Sequence, residues 1–144
     1  MWLFVGCSEN EVKESGFIGK YATLGFDGEN KGDVFRVSTW QNLLCKYGEK
    51  SFDAIMTDGG LMNVKRVDEI IRIKHKLLKN KGFIYNYYSV IGDRVYDPLH
   101  RGYRYIFYKI PKKEYTILNH DLTYKDMEPT TWSGKLRVKL KLII

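Results

Sequence analysis

Short apolar runs recur along the first 90 residues of the chain and are separated by polar or glycine-containing stretches. Runs of this length, bounded by Gly, Asp or Asn, are typical of strands buried in a sheet. The longer stretches between some of the runs have a helical period instead. The pattern therefore predicts five strands, at residues 2–5, 21–26, 33–37, 52–57 and 83–88.

Residues 39–47 form the first clear helical stretch, because their apolar side chains recur at intervals of three and four. Gly48 follows directly and is suited to the C-terminal cap of that helix. A shorter helix is expected between the first two strands, over about residues 8–16, where acidic side chains occupy the expected first turn.

Residues 64–80 form the second clear helical stretch, with Asn63 as the expected N-terminal cap and Gly82 as the residue that stops the helix. One stripe along this helix is apolar except at Lys74. His75, the next residue, is expected on the surface.

The last third of the chain has a different pattern. Residues 103–110 are strand-like, residues 111–113 turn, and residues 115–119 run back, which predicts a β-hairpin after the polar loop 93–102. Residues 135–142 alternate strictly between basic and apolar side chains, as an edge strand with one buried face does.

Alternating strands and helices followed by an antiparallel end predict an α/β fold with a mainly parallel sheet. The 144 residues suit a single domain, with residues 1–90 as a ligand-binding part and residues 91–144 as a basic antiparallel part. The two cysteines, Cys7 and Cys45, exclude a disulfide framework and a zinc site made of cysteines alone.

The formal net charge of +7 is concentrated near the end of the chain, since residues 101–144 hold 10 Lys and Arg against 4 Asp and Glu. Such an excess favours nucleic acid, an acidic protein face or an anionic membrane surface as partner, and a solvated basic surface is the alternative interpretation. The chain lacks a secretory leader and any apolar run long enough to span a membrane. We therefore expect a soluble protein of the cytoplasm.

Ligands of open α/β sheets bind beyond the carboxyl ends of the strands. Gly6, Asp27 and Asp58 follow three of the predicted strands, and Glu29 follows Asp27 closely. Gly6 would let a ligand approach the backbone, an acid after the second strand suits ribose hydroxyls, and Asp58 suits a base, a substrate acceptor or a metal ligand. Each also fits a simple turn.

Other reactive side chains give weaker signals. Cys7 is compatible with a nucleophile or with a small buried apolar residue. The histidines His75, His100 and His120 are far apart and have no metal-ligand spacing. The sequence contains no nucleophile elbow, no phosphate loop and no Gly-x-Gly-x-x-Gly pattern.

Taken in order, these segments resemble the class I S-adenosylmethionine-dependent methyltransferases. The stretch Phe-Asp-Ala-Ile-Met-Thr-Asp-Gly-Gly at 52–60 and the stretch Leu-Leu-Lys-Asn-Lys-Gly-Phe-Ile at 77–84 look like the fourth strand of that family and the turn into its fifth. Residues 3–6 look like the first strand and the start of the cofactor loop. Residues 23–27 look like the second strand with its ribose-binding acid.

The resemblance implies a Rossmann-like sheet, S-adenosylmethionine as cofactor, and methyl transfer to RNA or another anionic substrate. Asp58 would then position or deprotonate the methyl acceptor. The positions that match the cofactor site of the family are Gly6, Cys7, Ser8, Asp27, Glu29 and Thr39.

A second hypothesis stays open beside this one. The cofactor loop of the family has several glycines, and here only Gly6 falls in place. The chain would then be a catalytically inactive member of that scaffold that docks to nucleic acid or to a larger assembly. Tyr103, Arg104, Tyr105 and Tyr108 could stack on bases in that case, and aromatic packing in a half-buried strand is the preferred alternative.

Overall fold

A computed structural model describes residues 1–6, 9–14, 17–24, 36–58, 66–90, 96–97, 102–118 and 120. Within these residues the chain forms one mixed sheet with helices on both faces. The elements are β1 (Trp2–Val5), α1 (Glu9–Glu14), β2 (Tyr21–Leu24), α2 (Val37–Tyr47), β3 (Phe52–Asp58), α3 (Val67–Leu77), β4 (Leu78–Val90), β5 (Tyr96–Asp97), β6 (Gly102–Pro111) and the 3-10 helix Lys112–Glu114.

The strand order across the sheet is β2-β1-β3-β4-β6-β5. The strands β2, β1, β3 and β4 are parallel to one another, and β6 runs opposite to both of its neighbours, β4 and the two-residue β5. The predicted α/β class with a mainly parallel sheet and an antiparallel end is therefore confirmed for the described strands.

Each face of the sheet has its own core. On one face α2 and α3 pack on the strands, and fully buried side chains of this layer include Trp40, Leu77 and Ile84. On the other face the only described helix is α1, which contributes the buried Val12, and aromatic side chains fill most of the space around Phe4. Among the described residues, the two faces therefore differ in what packs on them, two helices on one and mainly aromatic rings on the other.

The helix predicted over residues 64–80 is shorter at both ends. It begins at Val67, after Arg66 in the left-handed conformation (φ 59°), so Asn63 is not its cap. It ends at Leu77, because Leu78 already pairs with Phe52 as the first residue of β4. Gly82 therefore lies inside a strand and stops no helix.

Strand β4 begins with an irregular stretch. Phe52 of β3 pairs with Leu78 of β4, and the next pair is Ala54 with Phe83. Two positions along β3 therefore correspond to five along β4, and residues 79–82 form a bulge. The position that a Cβ on Gly82 would occupy is 2.9 Å from the Lys79 carbonyl oxygen. Only a residue without a side chain fits there without displacing backbone.

The predicted hairpin between residues 103–110 and 115–119 is wrong. β6 pairs with β4 along residues 104–111, and Lys112–Glu114 forms a 3-10 helix that sends the chain towards α3. Residues 115–118 are not a strand. Part of the predicted loop 93–102 is the short strand β5, which pairs with the start of β6.

Two further predicted strands lie wholly or partly outside the described residues. In the predicted strand 33–37, Arg36 is extended but Val37 is the first residue of α2, so the helix starts two residues earlier than expected. Residues 33–35 lie outside the described residues, as does the predicted edge strand 135–142. Gly48 caps α2 as predicted, with φ 84° and its amide donating to the Leu44 carbonyl at 2.8 Å.

Candidate functional site

The strand order of the sheet has a topological switch point at β1. From β1 the chain adds β2 on one side, and it later adds β3 and then β4 on the other side. In open α/β sheets the crevice outside the carboxyl ends of the strands at such a switch point is where ligands bind. The carboxyl ends of β1 and β3 therefore define the candidate site, which we call the carboxyl-edge site.

Gly6 is the residue that leaves β1 at this edge. Its φ of 80° lies in the left-handed region, which glycine adopts without the steric cost that a Cβ brings. Its amide donates to the Leu24 carbonyl oxygen at 2.7 Å, so the turn is tied to the end of β2. The main chain at Gly6 is half-buried, which leaves it open to a close approach by a ligand.

Asp58 is the last residue of β3 and lies beside the same turn. Val5 is in register with Thr57, so Gly6 and Asp58 follow at the ends of adjacent parallel strands. The sheet thus brings together two of the sequence-predicted site residues at the level of the backbone. The side chain of Asp58 is not among those described.

One further predicted site residue lies on a described element. Thr39 lies in the first turn of α2, half-buried, with its amide donating to the Arg36 carbonyl at 3.1 Å. It therefore belongs to the helical layer. The remaining predicted cofactor contacts lie outside the described residues, and they are Cys7, Ser8, Asp27 and Glu29.

A buried polar pair lies next to Asp58. Thr57 and Asn86 are in register on β3 and β4, and neither side chain is accessible to solvent. The Asn86 side-chain amide donates to the His120 carbonyl at 3.0 Å, while its Oδ1 is buried without a hydrogen-bond partner. The sequence interpretation missed this pairing of Asn86 with His120. An asparagine inside the aromatic run 83–88 signals a buried polar group, but it does not indicate His120 as the partner.

The chain after β6 returns across the layer formed by α2 and α3, and we call residues 111–118 and 120 the return segment. Lys112 Nζ donates to the Leu78 carbonyl at 2.7 Å at one end of it. At its middle the ring Nε2 of His75 is 2.5 Å from the Tyr115 carbonyl oxygen. His75 is therefore half-buried against this segment, which corrects the expectation that it lies on the surface.

Lys74 is the most unusual charged group of the described chain, because its side chain is 1% exposed. Its Nζ lies 5.0 Å from the ring centroid of Trp40 and 5.8 Å from that of Tyr115, whose hydroxyl oxygen is 3.5 Å away. Burial lowers the pKa of Lys74 from 10.5 to about 7. The two rings stabilise the ammonium form in part, as cation–π contacts do.

The described residues limit the other kinds of site. They contain no group of three or more His, Cys, Asp or Glu side chains that could hold a metal ion. Among the helices described, none has both the length and the apolar character needed to cross a membrane.

Comparisons with known proteins add no family to this picture. No protein-family model matches the sequence, and a search of curated proteins finds no match either.

Proposed function

We propose that this protein binds S-adenosylmethionine at the carboxyl-edge site and transfers its methyl group to RNA or another anionic acceptor. The observation that carries the proposal is the placement of Gly6 and Asp58 at the ends of adjacent parallel strands at the switch point of the sheet. The left-handed backbone of Gly6 fits a cofactor that must approach the main chain closely.

The topology around this edge supports the same proposal. The region of closest resemblance, residues 52–84, spans β3, α3 and the start of β4, which is the strand–helix–strand order expected for it. The next strand in the sheet, β6, is antiparallel to β4, in keeping with the antiparallel end of a methyltransferase-type sheet. We therefore propose a Rossmann-like methyltransferase scaffold for residues 1–144.

The roles of the residues follow from their positions in that scaffold. Bound S-adenosylmethionine supplies a methyl group on a sulfonium sulfur. Gly6 would hold the methionine part of the cofactor against the end of β1, and Asp27 or Glu29 would accept hydrogen bonds from its ribose hydroxyls. Asp58 would position the methyl acceptor and take up the proton that the attacking group loses.

Isothermal titration with S-adenosylhomocysteine tests the cofactor part of the proposal. We expect wild-type protein to bind it, and Gly6→Val to weaken binding at least about tenfold, because a Cβ at positive φ moves the turn. The double variant Asp27→Asn, Glu29→Gln should weaken binding by about ten- to one-hundredfold through the lost charged hydrogen bonds. Asp58→Asn should leave the affinity nearly unchanged, since Asp58 serves the acceptor.

Gly48→Val is the matched control for backbone strain. Gly48 has φ 84°, close to the 80° of Gly6, but it caps the far end of α2. Equal loss of affinity in both valine variants would mean that strain alone is being measured. No binding of S-adenosylhomocysteine by the wild type at millimolar concentration would reject methyl transfer and favour a catalytically inactive, binding-only member of the scaffold.

A further inference from the structure

The sheet face opposite α2 and α3 carries a row of aromatic side chains with one gap. Tyr21, Trp2, Ala54 and Phe83 are in register on four successive strands, β2, β1, β3 and β4. All four belong to the same core cluster and so to the same face. Because Ala54 has only a methyl group, the row has a gap between the rings of Trp2 and Phe83.

This gap opens into a cleft of about 220 Å³. Trp2 and Phe83 are half-buried on its two sides. Tyr85 is the next residue of β4 on the same face after Phe83, and its ring stacks on that of Trp2 at 5.4 Å between centroids. The ring of Phe83 also contacts that of Tyr85, at 6.2 Å between centroids, so Tyr85 forms the back wall of the space between Trp2 and Phe83. The walls of the aromatic cleft, as we call it, are Trp2, Ala54, Phe83 and Tyr85.

The rim of the aromatic cleft has an excess of positive charge. Lys79, Lys81 and Asp53 line it, and the Asp53 carboxylate is paired with the Met1 ammonium and, at 3.0 Å, with Lys79. Lys81 and Lys109 are both exposed, and neither has a carboxylate partner in the described part of the chain. The Lys109 ammonium lies 3.9 Å from the Phe83 ring centroid, in a cation–π contact. A phosphate bound at the rim could form an ion pair with this ammonium in place of that contact.

We propose that the aromatic cleft binds single-stranded nucleic acid. One base stacks over Ala54 between Trp2 and Phe83, and the neighbouring phosphates contact Lys81 and Lys109. Aromatic side chains on a sheet surface bind unpaired bases in this way, and every base offers a ring face for stacking.

The occupant follows from the charge and the shape together. An acidic protein face would use the lysines but leave the flat gap over Ala54 unfilled, and a free apolar ring would not use the lysines. The lysines lie on two elements, Lys81 on the bulge of β4 and Lys109 on β6, so they suit successive phosphates of a strand. The net charge of +7 favours the same partner.

The aromatic cleft is separate from the carboxyl-edge site. Trp2 begins β1 and Gly6 follows its end, so the two places are apart by the length of that strand, about 10 Å or more. The inference goes beyond methyl transfer and does not depend on it. It holds equally for an active enzyme and for a binding protein, and its test contains no S-adenosylmethionine.

Fluorescence anisotropy of a labelled oligouridylate of about twelve nucleotides provides the test, with full-length protein at about 50 mM salt. We expect binding that weakens as salt rises. The double variant Lys81→Glu, Lys109→Glu should weaken it at least about tenfold and lower the salt slope by roughly 1.4, or about 0.7 for each lost phosphate contact. Phe83→Leu should weaken it about five- to one-hundredfold, the range found when a stacking ring is removed.

Two control variants lie on the opposite layer. The double variant Lys46→Glu, Lys76→Glu makes the same charge change on exposed residues of α2 and α3, and Tyr47→Leu removes a ring that packs on Phe52. Both should bind the oligonucleotide within about twofold of the wild type.

Several outcomes would overturn the inference. They are the absence of binding at low salt, an equal loss in the two lysine double variants, and undiminished binding by Phe83→Leu. Uridine monophosphate or polyglutamate competing as well as unlabelled oligouridylate would also reject a nucleic-acid strand as the occupant. Circular dichroism of each variant shows whether it is folded, and Phe83→Leu keeps an apolar side chain for that reason.

Discussion

Replacing Lys74 by methionine is expected to raise the stability of the protein at pH 7 by roughly 2–4 kcal/mol, or about 5–15 °C in Tm. The ammonium of Lys74 is 1% exposed, and its pKa falls from 10.5 to about 7, so folding at neutral pH carries a large desolvation cost. Methionine fills a similar volume without a charge. The loss of the contacts with the Trp40 and Tyr115 rings offsets only part of the gain.

The destabilisation caused by burying Lys74 depends on pH. Between pH 7 and 10.5 the unfolded chain keeps the Lys74 proton while the folded chain releases it. The contribution of Lys74 to stability therefore becomes less unfavourable as pH rises through this window, by roughly 1 kcal/mol per pH unit. Below pH 7 the full cost is present. The advantage of Lys74→Met should accordingly shrink between pH 7 and pH 10 in urea titrations.

Lys76→Met is the matched control, because Lys76 is an exposed residue in the same last turn of α3. It should change stability by no more than about 0.5 kcal/mol. A Lys74→Met protein that is less stable than the wild type would show that the contacts of the ammonium outweigh its desolvation.

Gly82→Ala is expected to destabilise the protein by about 2–3 kcal/mol. The new methyl group would lie 2.9 Å from the Lys79 carbonyl oxygen and 3.1 Å from the Asp53 carbonyl oxygen. Both are backbone atoms, so relief requires movement of the bulge of β4 or of the start of β3. Chemical denaturation at neutral pH measures the loss.

Lys81→Ala serves as the control for this site, since it changes the exposed neighbour of Gly82 in the same bulge. We expect less than about 0.5 kcal/mol there. A Gly82→Ala protein as stable as the wild type would mean that the bulge of residues 79–82 yields freely to a methyl group.

Local pattern was enough for much of the sheet. β1, β2 and β3 were predicted because each is a short apolar run with Gly or Asp near its end, and α2 because its apolar period and Gly48 agree. The parallel order followed from alternating strands and helices. For the carboxyl-edge site, the same pattern brought Gly6 and Asp58 to adjacent strand ends.

The errors arose where partners distant in sequence decide the structure. Residues 78–80 continue a helical pattern, but Leu78 is held in a strand by its pairing with Phe52. Residues 115–119 have strand-like composition, yet β4 already pairs with β6 along 104–111. Likewise, no local signal joins Asn86 to His120, which is 34 positions away.

The return segment also has a consequence for the order of folding. Its contacts reach back to residues made much earlier, with Lys112 bonded to Leu78, Tyr115 to His75 and His120 to Asn86. During synthesis from the amino terminus, α2 and α3 are complete before any of these contacts can form. Lys74 can therefore complete its contacts with Tyr115 only after that residue has emerged, late in synthesis.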